Sequence, residues 1–396
     1  MVSLRARVRE IRLILKYSVH SKSSDKMLLR SYVSDIWSDQ TIRERLSWYY
    51  DVLRDLRPAK FLICKEVASR EDPQSMTEAQ LWEEHGRLRL EFLERLKEIE
   101  QAGVLRKGAE RPEFSFLDVK VELLNRILQK CVFCEWRCRV DRIEGKRKGA
   151  CHLDSTARVA TFFRHYGEES PLVDMNGSGT IFFASCTFRC AFCQNWDISQ
   201  DPEGGAPVSP RNLSLMIKSL RSDGAANINL VGGEPTPNLH IIMEALNLTS
   251  VNVPILWNSN MYLTSEAMQI LADVVDIWLP DFKWGNDRCA LKYSRIIRYF
   301  EVVSRNHAMA QENGDMIVRH LVMPGHVECC TKPVLDWVAE NCPRAMVNLM
   351  SQYRPEHLVL REPMKYHEIA RRPTMQEIEE ARDYAEKLGL VWRQIS

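Results

Sequence analysis

The stretch Cys186–Asn195 reads CTFRCAFCQN, three cysteines at C-x3-C-x2-C spacing. Thiolates are ligands for soft and borderline metals, so a set this dense points to metal binding. The number three narrows the chemistry. A structural zinc takes four protein ligands in a closed tetrahedron, and a three-ligand catalytic zinc usually draws on histidine and carboxylate. An iron–sulfur cubane takes one ligand per iron. Cys186, Cys190 and Cys193 on one short loop would cap three irons and leave the fourth open to a substrate or cofactor.

A second group lies upstream in CVFCEWRCRVDRIEGKRKGAC. Cys131, Cys134, Cys138 and Cys151 follow a C-x2-C-x3-C-x12-C pattern. Four thiolates can close a zinc tetrahedron or hold an auxiliary iron–sulfur cluster, and Gly149 allows a tight turn toward the metal. Seven of the twelve cysteines fall between 131 and 193. A disulfide framework belongs to short secreted chains. This chain has 396 residues, is 45% hydrophobic, and begins with no apolar core followed by small residues. It reads as a cytoplasmic protein without a signal peptide. Cys64, Cys289, Cys329, Cys330 and Cys342 show no ligand spacing and read as buried thiols. His165, Glu168 and Glu169 in RHYGEESP read either as acid–base or substrate groups or as a capping turn.

The elements that must position these residues follow from periodicity. Residues 1–125 read as a helical N-terminal domain. Its clearest helix opens on a Thr77/Gln80 capping box, carries Leu81, Leu88, Phe92, Leu96 and Ile99 on one face, and ends near Gly103. The first 60 residues hold 13 Lys/Arg against 7 Asp/Glu, with Trp37, Trp48, Tyr49 and Tyr50. An amphipathic cap with a solvated basic face is the favoured reading over a docking surface for RNA or protein. Residues 126–175 form the four-cysteine metal-binding segment. From 176 to 396, six short runs rich in β-branched and aromatic residues alternate with helical patterns: GTIFFA, ANINLV, PILWN, VVDIWLP, MIVRHLVM and AMVNLM. That is the pattern of a parallel sheet covered by helices, an α/β fold whose ligands gather at the C-terminal strand ends. The three-cysteine loop follows the first of these strands. Ser209-Pro210 and Thr374/Glu377 mark two helix starts.

The three-cysteine spacing, with Phe192 at the aromatic position and a place after the first strand of a six-unit barrel, resembles the radical S-adenosylmethionine (SAM) superfamily. The resemblance implies a partial (β/α)6 TIM-like barrel, a [4Fe–4S] cluster on Cys186, Cys190 and Cys193, and SAM chelated to the open iron. One-electron cleavage of SAM would then give a 5′-deoxyadenosyl radical. LVGGEPT, one strand later, resembles the family's GGEP element and implies that Gly232, Gly233 and Glu234 bind the methionine amino group. LPDFKW resembles the D-x-K element of glycyl-radical-enzyme activases and maps to Asp281 and Lys283. WNSN places Asn258, Ser259 and Asn260 toward the ribose or, with Asp281, a monovalent cation. VRHLVMPG implies a cofactor contact by Arg319. Gln352 in LMSQY takes the place of a last-strand histidine. GSGTIFF, FCQNW and LPDFK are similar to phrases of the pyruvate formate-lyase activating-protein homologues.

Three positions depart from the activase pattern. Gln194-Asn195 replaces His-Asn, Met261 stands where glycine is usual, and the last-strand histidine is absent. All three fall on the substrate side. The resemblance implies an electron donor such as flavodoxin or ferredoxin and a glycyl residue of a protein partner as substrate. A small molecule, peptide or RNA substrate is the competing reading. A non-catalytic metal-binding interaction protein is the reading from a different class. A net charge of +1 gives no support to nucleic acid or an anionic membrane, and no apolar run approaches the ~20 residues of a membrane span.

Overall fold

The six β-branched runs become strands because each is too short for a helix and is bounded by turn residues. In the computed structural model, which describes residues 36–102 and 111–395, they are joined by two further strands. In chain order these are β1 (Ala157–His165), β2 (Ser178–Phe183), β3 (Ala206–Val208), β4 (Ile228–Gly232), β5 (Ile255–Ser259), β6 (Ile277–Pro280), β7 (Asp315–Leu321) and β8 (Met346–Met350). The sheet order is β3-β1-β2-β4-β5-β6-β7-β8. From β2 to β8 every pairing is parallel. β1 and β3 add an antiparallel flap beside β2. Pro207 sits in that outermost strand, where a missing N–H costs no ladder bond. β3 and β8 end the order, so the barrel is open.

Helices form where the capping chemistry places them. Ser209 accepts from Asn212 N ahead of Pro210–Ser222, and Thr374/Glu377 form a reciprocal box ahead of Met375–Lys387. Thr77 and Gln80 do the same ahead of Glu78–Ala102. Leu81, Leu88 and Phe92 of that helix are buried, with Leu96 and Ile99 packed against the core. Gly103 and the basic segment 1–35 lie outside the described residues.

Alternation along the strands sends Leu256 and Asn258, Ile277 and Leu279, Ile317 and Arg319, and Met346 and Asn348 into the barrel. The lower, apolar set packs with Trp37, Ile42, Leu46, Tyr49 and Leu53 from the N-terminal helices Gln40–Arg45 and Ser47–Leu53. These helices therefore close the barrel floor. Trp37, Trp48 and Tyr49 are buried rather than displayed, so they supply core and not a docking surface. Polar anchors fix the cap. Trp48 Nε1 donates to Asp276 Oδ1 at 2.8 Å, and Tyr49 N to Asp315 Oδ2 at 2.8 Å. Lys120, fully buried on the helix Phe116–Gln129, pairs with Asp273 at 2.7 Å and meets His85 Nε2 at 3.0 Å. No helix among the described residues is long and apolar enough to cross a membrane.

Candidate functional site: a three-cysteine loop at the barrel mouth

β2 runs out through Ala184 and Ser185 into Cys186, at the C-terminal edge of the sheet. Ser185 adopts φ 68°, a left-handed conformation that costs a non-glycine residue on the order of 1 kcal/mol. Its N–H donates to Ile198 O at 2.9 Å and its hydroxyl to Cys151 O at 2.5 Å, which hold the turn. Cys186 and Cys190 are buried and Cys193 half-buried. Each sulfur has a polar neighbour. Cys186 accepts from Phe188 N at 3.3 Å and from Asn260 Nδ2 at 3.6 Å. Cys190 lies 3.1 Å from the Ser294 hydroxyl, and Cys193 3.2 Å from that of Ser199.

Burial pushes all three thiols upward, Cys190 to about 12. Thiols in such a place stay neutral unless a bound cation holds them as thiolates. Three convergent sulfurs with hydrogen-bond donors around them fit an iron–sulfur cluster, whose potential those donors tune.

The two glycines of the GGEP element serve the loop directly. A Cβ on Gly233 would stand 1.8 Å from Ser185 O, and one on Gly232 2.2 Å from Phe183 N. The close approach is thus to the backbone leading into Cys186. Glu234 follows, almost fully buried. Its Oε1 accepts from Thr236 Oγ1 at 2.6 Å and Ser259 Oγ at 2.7 Å, and its Oε2 from Asn260 N at 2.9 Å. Burial raises its pKa against these donors. Asn260 therefore bridges the carboxylate, through its backbone, to the Cys186 sulfur, through its side chain.

Met261, standing where glycine is usual, holds φ 59°. That left-handed geometry is the physical reason for glycine there. Here its N–H donates to Ser259 Oγ and its carbonyl accepts from Asn306 Nδ2.

Inside the barrel a charged network links the remaining candidates. Arg319 donates to Asp281 Oδ1 at 3.2 Å, Asn258 Oδ1 at 2.6 Å and Glu168 Oε2 at 3.4 Å. Lys283 Nζ pairs with Asp281 Oδ2. Burial raises the Asp281 carboxyl, but Lys283 and Arg319 hold it below its ordinary value. Glu168 and Glu169 come from the β1–β2 connection at the barrel floor. Glu168 meets His165 Nδ1 at 3.2 Å and accepts from Asn229 at 3.1 Å, and Glu169 accepts from Asn348 at 2.7 Å. They are interior groups of the same network. Phe192 is wedged edge-on between Trp284 and Tyr353. Gln352 is exposed on the loop after β8.

The four upstream cysteines are near enough that Cys134's thiol is pushed up by burial and by Cys151, Cys131 and Cys138, although no three of their sulfurs lie within 4.8 Å of one another. Ala150 N donates to Cys138 Sγ at 3.3 Å, and a Cβ on Gly149 would stand 2.8 Å from that sulfur. The donor set fits either zinc or an auxiliary cluster. This module docks on the three-cysteine loop. Trp136 Nε1 donates to Thr187 O at 2.9 Å and Arg189 Nη2 to Ala150 O at 2.8 Å, beside the Ser185–Cys151 bond.

Cys289, Cys329 and Cys330 are free thiols, the first and last buried, and the fold gathers them with His326. The long stretch of chain between Cys289 and His326 hid this from spacing arguments.

Residues 180–338 match the family model of the Radical SAM superfamily. The uncharacterized protein MJ0674 of Methanocaldococcus jannaschii is 40% identical over 352 residues, spanning 87% of this chain and 98% of the relative. Among solved structures, Streptococcus suis SuiB bound to precursor peptide SuiA is 14% identical with a TM-score of 0.38, over 51% of this chain and 43% of SuiB. TYW1 with a lysine-pyruvate adduct bound is 11% identical with a TM-score of 0.34, over 52% of this chain and 73% of TYW1. The chain thus spans less than half of SuiB. With the family model on the barrel and the archaeal relative matched almost end to end, the chain belongs to the radical SAM superfamily.

Proposed function

We propose that this chain cleaves SAM reductively and uses the product to abstract a hydrogen atom from a substrate over the barrel mouth. The observation that carries the reading is the Asn260 bridge, which ties a cluster seat to a buried carboxylate suited to an ammonium group. A [4Fe–4S] cluster held by Cys186, Cys190 and Cys193 would supply the one-electron reduction that cleavage of SAM to methionine and a 5′-deoxyadenosyl radical requires.

The chain's own residues do the positioning. Cys186, Cys190 and Cys193 hold the cluster. Glu234 accepts from the methionine ammonium, with Gly232 and Gly233 setting its distance from the loop. Phe192 packs behind the loop, and Lys283 lies close enough to Cys190 and Cys193 to favour their thiolates. Asn258, Ser259 and Arg319 face the nucleoside side. A monovalent cation at Asp281 would have to displace Lys283 or Arg319. The Cys131–Cys151 module clamps the loop and, if loaded with iron and sulfide, relays electrons from a flavodoxin- or ferredoxin-like donor.

By resemblance to the activases, the substrate is a glycyl residue of a partner protein. A small-molecule substrate is the second reading. It is favoured by Glu169, whose Oε2 is buried without a partner among the described residues and whose carboxyl burial keeps protonated more readily. The test is electron paramagnetic resonance of the reduced protein with and without SAM labelled with nitrogen-15 at its amino group. Coupling to the label supports the reading; a spectrum that SAM leaves unchanged removes it.

A further inference from the structure

Cys289, His326, Cys329 and Cys330 are, among the described residues, the one group of three or more metal-binding side chains whose ligand atoms all lie within 4.8 Å of one another. Four of the six edges of this group are close to those of a tetrahedron. Cys289 Sγ to His326 Nδ1 is 3.7 Å, Cys289 Sγ to Cys329 Sγ 4.0 Å, His326 Nδ1 to Cys329 Sγ 3.2 Å, and Cys329 Sγ to Cys330 Sγ 3.7 Å. Zinc bonds of ~2.3 Å to sulfur and ~2.0 Å to nitrogen give edges of about 3.5–3.8 Å. The other two edges lie within 4.8 Å, so all four ligand atoms are gathered about one point.

The local structure is built for this convergence. The segment Val327–Thr331 is a π-helical turn, with Cys330 N and Thr331 N both donating to His326 O. Such turns recur at functional sites. The partner ligand comes from Cys289 in the first turn of the helix Asp287–Ser294. Asn286, which caps that helix through Cys289 N, donates its amide to Cys329 O at 2.7 Å and lies 3.6 Å from Cys330 Sγ. That is the kind of outer donor that orients a thiolate ligand. A Cβ on Gly285 would stand 2.8 Å from Cys330 Cα, so the two segments meet at backbone contact. Cys289, Cys330 and His326 are buried and Cys329 is partly so, which makes the site closed.

We propose that Cys289, His326, Cys329 and Cys330 form a closed site of three thiolates and one imidazole for a borderline-soft divalent cation, zinc, which staples the turn Val327–Thr331 to the helix Asp287–Ser294. Four protein ligands leave no open position, so the role is structural. The site lies one side chain from the three-cysteine loop. Trp284 meets His326 edge-on at 5.7 Å, and its Nε1 donates at 2.9 Å to Ser294 Oγ, the hydroxyl beside Cys190. The staple therefore sets the helix that carries Ser294.

The test is anomalous scattering from crystals of the full chain, purified anaerobically, measured on both sides of the zinc and iron edges. A zinc peak bonded to all four ligand atoms is the expected result. Crystals that show iron at Cys186, Cys190 and Cys193 but no metal peak here overturn the proposal, as does a Cys329–Cys330 disulfide. An iron peak at this place overturns the zinc assignment. In solution, C330S should lose about one zinc per chain with iron and sulfide content unchanged; equal zinc in folded wild type and variant contradicts the site. If C330S does not fold, the wild-type anomalous map decides alone.

Discussion

The Cys190 sulfur lies 3.1 Å from the Ser294 hydroxyl. Ser294 also accepts the Trp284 indole N–H at 2.9 Å. The Cys190 thiol also donates to this hydroxyl; as a cluster-bound thiolate the sulfur would only accept, and the Ser294 proton, not needed by the indole, would turn to it. Hydrogen bonds to ligand sulfur stabilise the reduced, more negative cluster.

Ser294→Ala should therefore make the cluster harder to reduce. One neutral hydrogen bond of about 1 kcal/mol corresponds to a shift on the order of 40 mV more negative. Redox titration followed by paramagnetic resonance reads it. An unchanged potential would mean that the hydroxyl does not address the cluster.

Gly233→Ala tests the loop's seating. The new Cβ would collide with Ser185 O, two backbone segments that cannot separate without moving Cys186. The expected loss is about 3 kcal/mol or more, with iron binding lost alongside. Thermal midpoint and iron content of the reconstituted variant measure both.

Lys120→Met tests the cap apart from the chemistry. The substitution leaves the buried Asp273 carboxylate with Arg89 alone as a cationic partner. Removing one member of a buried pair costs about 3–5 kcal/mol. The thermal midpoint should fall by several degrees while iron per folded chain stays constant.

Acid should unfold the protein through its buried histidines. His85, His240, His307 and His320 all have pKa values lowered by burial, His240 to about 3 and the last two to about 4. The unfolded chain binds their protons near the ordinary value of about 6.5. Stability is thus full above that value and falls as pH drops below it, each proton adding a slope of about 1.4 kcal/mol per pH unit. The raised carboxyls of Asp315, to about 7, and of Glu169, Glu234 and Asp276 oppose this slope, so the histidine contribution is read by difference: the thermal midpoint of His307→Gln should fall less between pH 7 and 5 than that of wild type. An identical pH dependence in His307→Gln and wild type would contradict the burial of this ring.

The six parallel strands were legible because each is a continuous β-branched run buried on both faces. The three-cysteine loop was legible because its cysteines are close in sequence. β1 was not, since ARVATFFRH in an antiparallel flap shows no clean alternation, and its burial is mixed. Glu168 and Glu169 read equally as acid–base groups or as a capping turn, because nothing local says that the β1–β2 connection enters the barrel. The two arginines beyond Ser294, Arg295 and Arg298, take left-handed φ of 57° and 49° and separate the helices Asp287–Ser294 and Tyr299–Glu312. The Cys289–His326–Cys329–Cys330 group depends on two segments meeting in space, which spacing cannot report.

The most direct measurement is production of 5′-deoxyadenosine. The protein is reconstituted anaerobically with iron and sulfide, reduced, and given SAM, beside Cys190→Ala treated identically. The account predicts 5′-deoxyadenosine from wild type and none above background from the variant. Iron-loaded wild type that forms none would contradict it and leave the metal-binding scaffold as the better reading.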